Sequence, residues 1–252
     1  MKTCFLSIDI EHDRGTFKDK KFHGVAELDK ALSLFEKHET PATLFVTGDV
    51  ILKYPDKVKK WNERYEIASH SYSHEYFSNL SEIEKAGDID KSLDLYRRIL
   101  KTDPKGFRAP SHIIDGFTMK YLEKRGFLYD SSVVPHYPLL KKYRGYSGSA
   151  PKAPYNPDYS NIRKFGSMEI LEIPVSGQIL GIPLAGAWIR KVPMIAYRIL
   201  FAINKPEFIT FSMHSWDIAE DKNFSRKIED TILLLKSNGY ILKTGESILS
   251  QK

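Results

Sequence analysis

The chain has 252 residues, 42% of them hydrophobic and 28% charged, which is ordinary globular composition and enough length for a large buried core. Its net charge of +6 favours anionic partners, such as phosphorylated or lipid-linked substrates or an anionic membrane surface; no DNA- or RNA-binding motif is present, so nucleic acid is not expected. Cys4 is the only cysteine, which excludes an intrachain disulfide and a thiolate metal cluster.

The first residues hold too short an apolar run for a signal peptide and enter a strand over 3–8, so a cytoplasmic protein is expected. Val25, Leu28, Leu32 and Phe35 share one face of a helix predicted over 25–38. After Pro41 come strands over 42–46 and 67–69. Ser81 and Glu84 form a capping-box pattern that opens a helix reaching Leu100, with Ile83, Ala86, Leu93, Tyr96 and Leu100 as its apolar face. A strand over 106–109 stops at Pro110, a helix over 117–124 ends at Gly126, and a strand over 127–134 closes at Pro135. The stretch 135–166 shows no period and reads as a long loop. Strands follow over 169–174 and 208–213. Ser225 is placed as the cap of a helix carrying Ile228, Ile232 and Leu235 and ending at Asn238-Gly239; a last strand spans 240–243.

The most apolar long window, 179–203, contains Arg190, Lys191, Arg198 and two prolines and is a poor transmembrane span. The part from 185 to 205 suits either an outer barrel helix or a segment lying against lipid head groups. Alternating strands and helices predict βα units, a mostly parallel sheet of seven or eight strands, and a closed or nearly closed barrel spanning 1–252 as one domain.

Chemistry-bearing residues fall at or just beyond the C-terminal ends of the predicted strands. These are Asp9 and Glu11, His70 and His74, Arg108, Asp130 and His214. In a parallel β/α barrel those ends share the face that carries catalysis. Two imidazoles four residues apart and a carboxylate pair are the ingredients of a two-His, one-carboxylate metal site. If the loop after the third strand turns helical, that spacing puts both rings on one side. Each piece has a plainer alternative. The histidines read equally as surface residues, the carboxylates as a solvated strand end, Arg108 as a structural cation, Asp130 as a loop cap and His214 as a satisfied core residue.

Read together, Ser-Ile-Asp-Ile-Glu, His-Ser-Tyr-Ser-His, Arg-Ala-Pro-Ser, Tyr-Asp-Ser-Ser-Val-Val-Pro and Ser-Met-His-Ser-Trp-Asp resemble the five ordered motifs of the polysaccharide deacetylases. These are the NodB-homology proteins of carbohydrate esterase family four. The resemblance spans about 3–217. It implies an α/β fold, a distorted (β/α)7 barrel, and one divalent metal ion, zinc first, with cobalt, nickel or iron as alternatives. It implies a metal-dependent amide hydrolase that removes an N-acyl group from an amino sugar in a polysaccharide or lipid-linked saccharide.

By the same resemblance, Asp9 is the general base, and Glu11, His70 and His74 are the metal ligands. Arg108 orients the base, His214 is the general acid and Asp130 orients or tunes it. Ser111, Tyr72 and Trp216 line the substrate. The first motif reads Asp-x-Glu, closest to a branch with Asp-x-Asp that includes deformylases of lipid-linked aminosugars and cyclic-amide hydrolases of purine catabolism. Ser111 stands where many members carry tyrosine, and Asp13, His12 and His112 are left without a role. The partner implied is an N-acylated glycan, with peripheral contact to the inner membrane face through 185–205 as an option. A carbohydrate-binding barrel without catalysis is the rival from another class.

Overall fold

The strand predicted over 3–8 runs from Lys2 to Ile10 (β1), and every residue from Cys4 to Ile10 is buried. Burial on both faces is what a parallel sheet covered by helices on each side requires. The computed structural model describes residues 2–14, 21–135, 148–221 and 223–250. Of the predicted loop 135–166, positions 136–147 lie outside the described residues.

The remaining strands of the main sheet are β2 (Thr43–Val46), β3 (Glu66–Ser69), β4 (Gly106–Phe107), β5 (Tyr129–Asp130), β6 (Leu171–Glu172), β9 (Phe208–His214) and β10 (Tyr240–Lys243). Their order is β10-β1-β2-β3-β4-β5-β6, with β9 also paired to β1. The pairings of β1 with β9 and β10, and of β3 through β6 with one another, are parallel. This is the α/β architecture expected of a distorted (β/α)7 barrel. The main sheet's eight strands agree with the seven or eight predicted. Several are shorter than predicted: 127–134 contributes only Tyr129–Asp130 and 169–174 only Leu171–Glu172.

Two compact units divide the chain. The first comprises Met1–Leu44 and Gly177–Thr244. In it β9 follows β1 from Thr3 to Asp9, and β10 pairs with Lys2 to Phe5. Helices α1 (His23–Lys37), α8 (Ser215–Glu220) and α9 (Phe224–Ser237) pack here. Gly24 lets α1 approach the Ser215 backbone so closely that a Cβ would collide with it. Ser225 sits inside α9, whose N-cap is Asn223, so the predicted cap is two residues too late. The predicted end holds: Gly239 adopts φ +81°, which stops a helix cheaply only at glycine. The stretch 185–205 is two helices, α6 (Gly186–Ile189) and α7 (Met194–Ile203), split where Pro193 caps the second. A two-residue hairpin, β7 (Gln178–Ile179) with β8 (Ile182–Pro183), precedes them and was not expected.

The second unit comprises Phe45–Ser176 and Gly245–Lys252. Two helices that the sequence reading did not place, α2 (Gly48–Lys53) and α3 (Pro55–Asn62), join β2 to β3. Helix α4 (Glu82–Leu100) opens with the predicted capping box between Ser81 and Glu84. Its inward face matches expectation at Leu93 and Tyr96 and departs from it at Ile83. Ile83 is 85% exposed, and Ile89, Leu93 and Tyr96 turn inward together with Lys85, Asp88 and Ser92. Ile83 lies in the first turn of the helix, and its apolar side chain stays in solvent. Helix α5 (Gly116–Lys124) is capped by Asp115, whose carboxylate accepts the Thr118 amide. Short helix α10 (Gly245–Leu249) ends the described chain's helices. Phe77, Ile89, Leu93, Phe107, Met119 and Phe127 form the core, each worth about 1.5–3 kcal/mol of burial.

Candidate active site

β1 and β9 place the first group. Asp9 and His214 are register partners at the C-terminal ends of these strands. Asp9 Oδ2 lies 3.9 Å from His214 Nε2. The other ring nitrogen, Nδ1, is 3.5 Å from Asp217 Oδ2, which also accepts the His214 backbone N–H at 2.9 Å. Both nitrogens thus face carboxylates, and such a ring is best satisfied as an imidazolium donor. Burial lowers the His214 pKa, but the bond to Asp217 and the charges of Glu11, Asp217 and Asp9 outweigh it and push it up to about 9.

Trp216 stacks on the His214 ring, centroids 4.5 Å apart and planes 17° apart. Its indole N–H donates to Glu11 Oε1 at 2.9 Å, so this side chain fixes both an imidazole and a carboxylate. Arg190 Nε is 3.0 Å from Asp217 Oδ1 and the same guanidinium pairs with Glu220. Gly186 matters for space: a Cβ there would strike the Asp217 carboxylate. Asp13 serves helix α1, accepting the His23 and Gly24 amides at 2.7 and 2.9 Å.

β3, β4 and β5 place the second group. The loop after β3 is not helical, contrary to the condition set on the histidine spacing. Ser71 and His74 adopt φ of +66° and +56°. Asp88 on α4 accepts the Tyr72 and Ser73 amides at 2.8 and 2.9 Å, and Ser71 Oγ accepts the His74 amide at 3.0 Å. These bonds hold a left-handed backbone that would cost about 1–2 kcal/mol per residue if unsupported. The result is two buried imidazoles with centroids 4.9 Å apart. His70 Nδ1 is 2.8 Å from the Arg108 carbonyl, an acceptor only, so Nδ1 carries the proton and Nε2 offers the lone pair. Tyr72 is half-buried, and its backbone and ring crowd Gly48.

Arg108 is fully buried. It donates to the Ser131 carbonyl and hydroxyl, both at 2.9 Å, and lies 4.0 Å over the Phe45 ring. Asp130 accepts the Ser132 amide and hydroxyl at 2.9 and 2.8 Å and is the register partner of Glu172. Burial raises the Asp130 pKa to about 6, partly countered by hydrogen bonds from Glu172 and Ser132 and by Arg108. Burial and the neighbouring Asp130 charge push Glu172 far above the ordinary carboxylate range, so Glu172 is the member that keeps its proton. Ser111 and His112 form a turn in which both take left-handed φ, +54° and +57°. Buried Cys4 is no nucleophile, because burial drives its thiol well above the ordinary range.

Glu11 in the first unit offers a carboxylate oxygen, and His70 and His74 in the second offer two imidazole nitrogens. One carboxylate and two imidazoles are the donors that zinc and similar divalent ions take, and three protein ligands leave a position for water. The residues present therefore fit the implied metal. Sequence reasoning missed Asp217, Arg190, Asp88 and Glu172. Asp217 stood within the quoted Ser-Met-His-Ser-Trp-Asp run; the others are distant in sequence from any motif.

Residues 14–129 match the polysaccharide deacetylase family model. Over that stretch the chain is similar to the polysaccharide deacetylase family. The matched stretch carries His70, His74 and Arg108; Asp9, Glu11, Asp130 and His214 fall outside it. A peptidoglycan deacetylase-like protein of Gibberella zeae is 36% identical over 95 residues, covering 37% of this chain and 28% of that protein. A peptidoglycan deacetylase of Helicobacter pylori is 30% identical over 114 residues, covering 45% and 39%. The chain thus spans about a third of the length of the curated relatives it matches. A Mycobacterium smegmatis structure described as a polysaccharide deacetylase superposes with a TM-score of 0.72 at 18% identity, covering 99% of this chain and 90% of that one. At that identity the likeness speaks for the fold alone.

Proposed function

We propose that this protein is a metal-dependent amide hydrolase that removes an N-acyl group, acetyl first, from an amino sugar in a glycan or lipid-linked saccharide. The observation that carries the reading is the donor group of Glu11, His70 and His74. The family match supports the reaction class.

A divalent ion held by these three side chains would supply Lewis acidity toward the acyl carbonyl. Asp9 removes a proton from the attacking water as the new C–O bond forms. His214, protonated at neutral pH, then donates a proton to the amide nitrogen as the C–N bond breaks. The products are a carboxylate and an amine. That donation decides the rate, because an unprotonated amide nitrogen is a poor leaving group. Asp217 holds His214 in its donor form, and Trp216 keeps the ring and Glu11 in fixed orientation. Arg108, Asp130, Ser111 and Tyr72 complete the reading as positioning and substrate-lining residues.

The test measures bound metal first, then release of acetate or formate from N-acylated sugar oligomers and from lipid-linked aminosugars. Asp9→Asn is expected to retain the metal and lose turnover by at least about 100-fold. Metal-loaded protein that releases no acyl group from any of these substrates, or full turnover in Asp9→Asn, would overturn the proposal.

A further inference from the structure

Helix α7 presents its apolar residues the wrong way round for a helix that only packs inward. Tyr197 and Phe201 face the core and are fully buried, and the Tyr197 hydroxyl donates to the Pro183 carbonyl at 2.7 Å. On the outer side Ile195, Ile199 and Ile203 are 62%, 55% and 68% exposed. Their i, i+4, i+8 spacing lines them along one stripe. Leu180, at the tip of the β7–β8 hairpin, is also exposed. Scattered single hydrophobics need no explanation, but a stripe of three β-branched residues does.

Charge indicates what covers it. No Asp or Glu occurs between Glu172 and Glu207, although the chain holds 32 acidic residues. The same interval holds Arg190, Lys191, Arg198 and Lys205. Arg190 is committed to Asp217 and Glu220. Lys191, Arg198 and Lys205 are exposed, and among the described residues none of them is in an ion pair. An apolar stripe flanked by exposed cations, on a segment that itself carries no acid, is complementary to an anionic lipid surface. No helix among the described residues is long and apolar enough to cross a membrane.

We propose that α7 docks in the plane of an anionic membrane surface. Ile195, Ile199 and Ile203 enter the head-group boundary, and Lys191, Arg198 and Lys205 lie over lipid phosphates. The inference goes beyond the hydrolase reading and does not depend on it, since binding is measured without substrate.

The full chain is sedimented with vesicles of phosphatidylcholine alone and of phosphatidylcholine with phosphatidylglycerol, at about 0.1 M salt. Three cations predict on the order of 100-fold tighter binding to the anionic vesicles, falling by roughly five-fold for each cation removed and weakening with salt. Ile199→Ser with Ile203→Ser is expected to reduce binding by at least about ten-fold. Both sites are exposed, so the melting temperature and hydrolysis of a soluble oligomer should not change. Equal association with both vesicle types, or unchanged binding in the double variant, would overturn the proposal. So would a dimer in light scattering that the double variant splits while no vesicle is bound, because a second copy would then be the occupant.

Discussion

The Nδ1 of His70 lies 2.8 Å from the backbone carbonyl of Arg108, so one strand end sets the protonation of an imidazole on the next. The ring is left with a single lone pair, at Nε2, in a buried position. His70→Ala should remove a ligand outright and weaken metal binding by more than about 100-fold. Metal analysis of the purified variant after dialysis reads this directly, and a full complement of metal would reject the ligand assignment.

Asp88 shapes the same loop from a distance. Its carboxylate takes the amides of Tyr72 and Ser73, between the two histidines. Asp88→Ala should leave both imidazoles in place chemically but let their loop relax. The expected cost is about 10–100-fold in metal affinity, with a smaller loss of turnover once metal is saturating. Titration with zinc followed by activity at saturation separates the two; unchanged affinity would show that the loop holds itself.

Asp217 should control when His214 gives up its proton. With the His214 pKa raised to about 9 from an ordinary 6.5, its protonated form is favoured by folding. The stability so gained is full below the unfolded value and is lost as pH rises through the folded one. In Asp217→Asn, imidazole NMR of the metal-free protein should show the titration displaced toward lower pH. An unmoved titration would assign the shift to Asp9 and Glu11 instead.

The Asp130–Glu172 pair acts with the same sign, starting at lower pH. Asp130 titrates near 6 rather than 3.8, so the folded chain holds a proton that the unfolded chain has released. Stability should therefore fall as pH rises through that window, and Glu172, raised further, should extend the fall to higher pH. Glu172→Gln should flatten the dependence, as followed by denaturant midpoints at several pH values. A wild-type midpoint that rises steadily over this range would contradict the carboxyl assignments.

Much of the fold was legible because β1, α1, α4 and β10 are long or sharply bounded. Buried β-branched runs and the Ser81–Glu84 cap mark those elements locally. The two-residue strands β4 to β6 were overextended, since apolar runs continue past the last ladder bond into buried loops. Ile83 was misread because periodicity reports a face without saying where a neighbour stands. At the site, the residues that touch substrate or metal in the proposed reaction stood out by type and place. Their supports did not. Asp88 and Glu172 act across elements, and nothing in a carboxylate's own neighbourhood says which backbone amide it will meet. The histidine pair was reached by an i, i+4 argument, yet the rings meet through two left-handed residues in a bent loop.

Asp9 and His214 ride on adjacent strands that stay paired over seven positions. Their separation is consequently an interstrand step, roughly 4.8 Å of backbone spacing, rather than a property of any loop. In the proposed reaction, insertions in the connecting segments can remodel what substrate is accepted while the distance between Asp9 and His214, its proton acceptor and donor, stays constant. Substrate range and acid–base geometry are in that sense separable traits of this chain, open to being engineered one at a time.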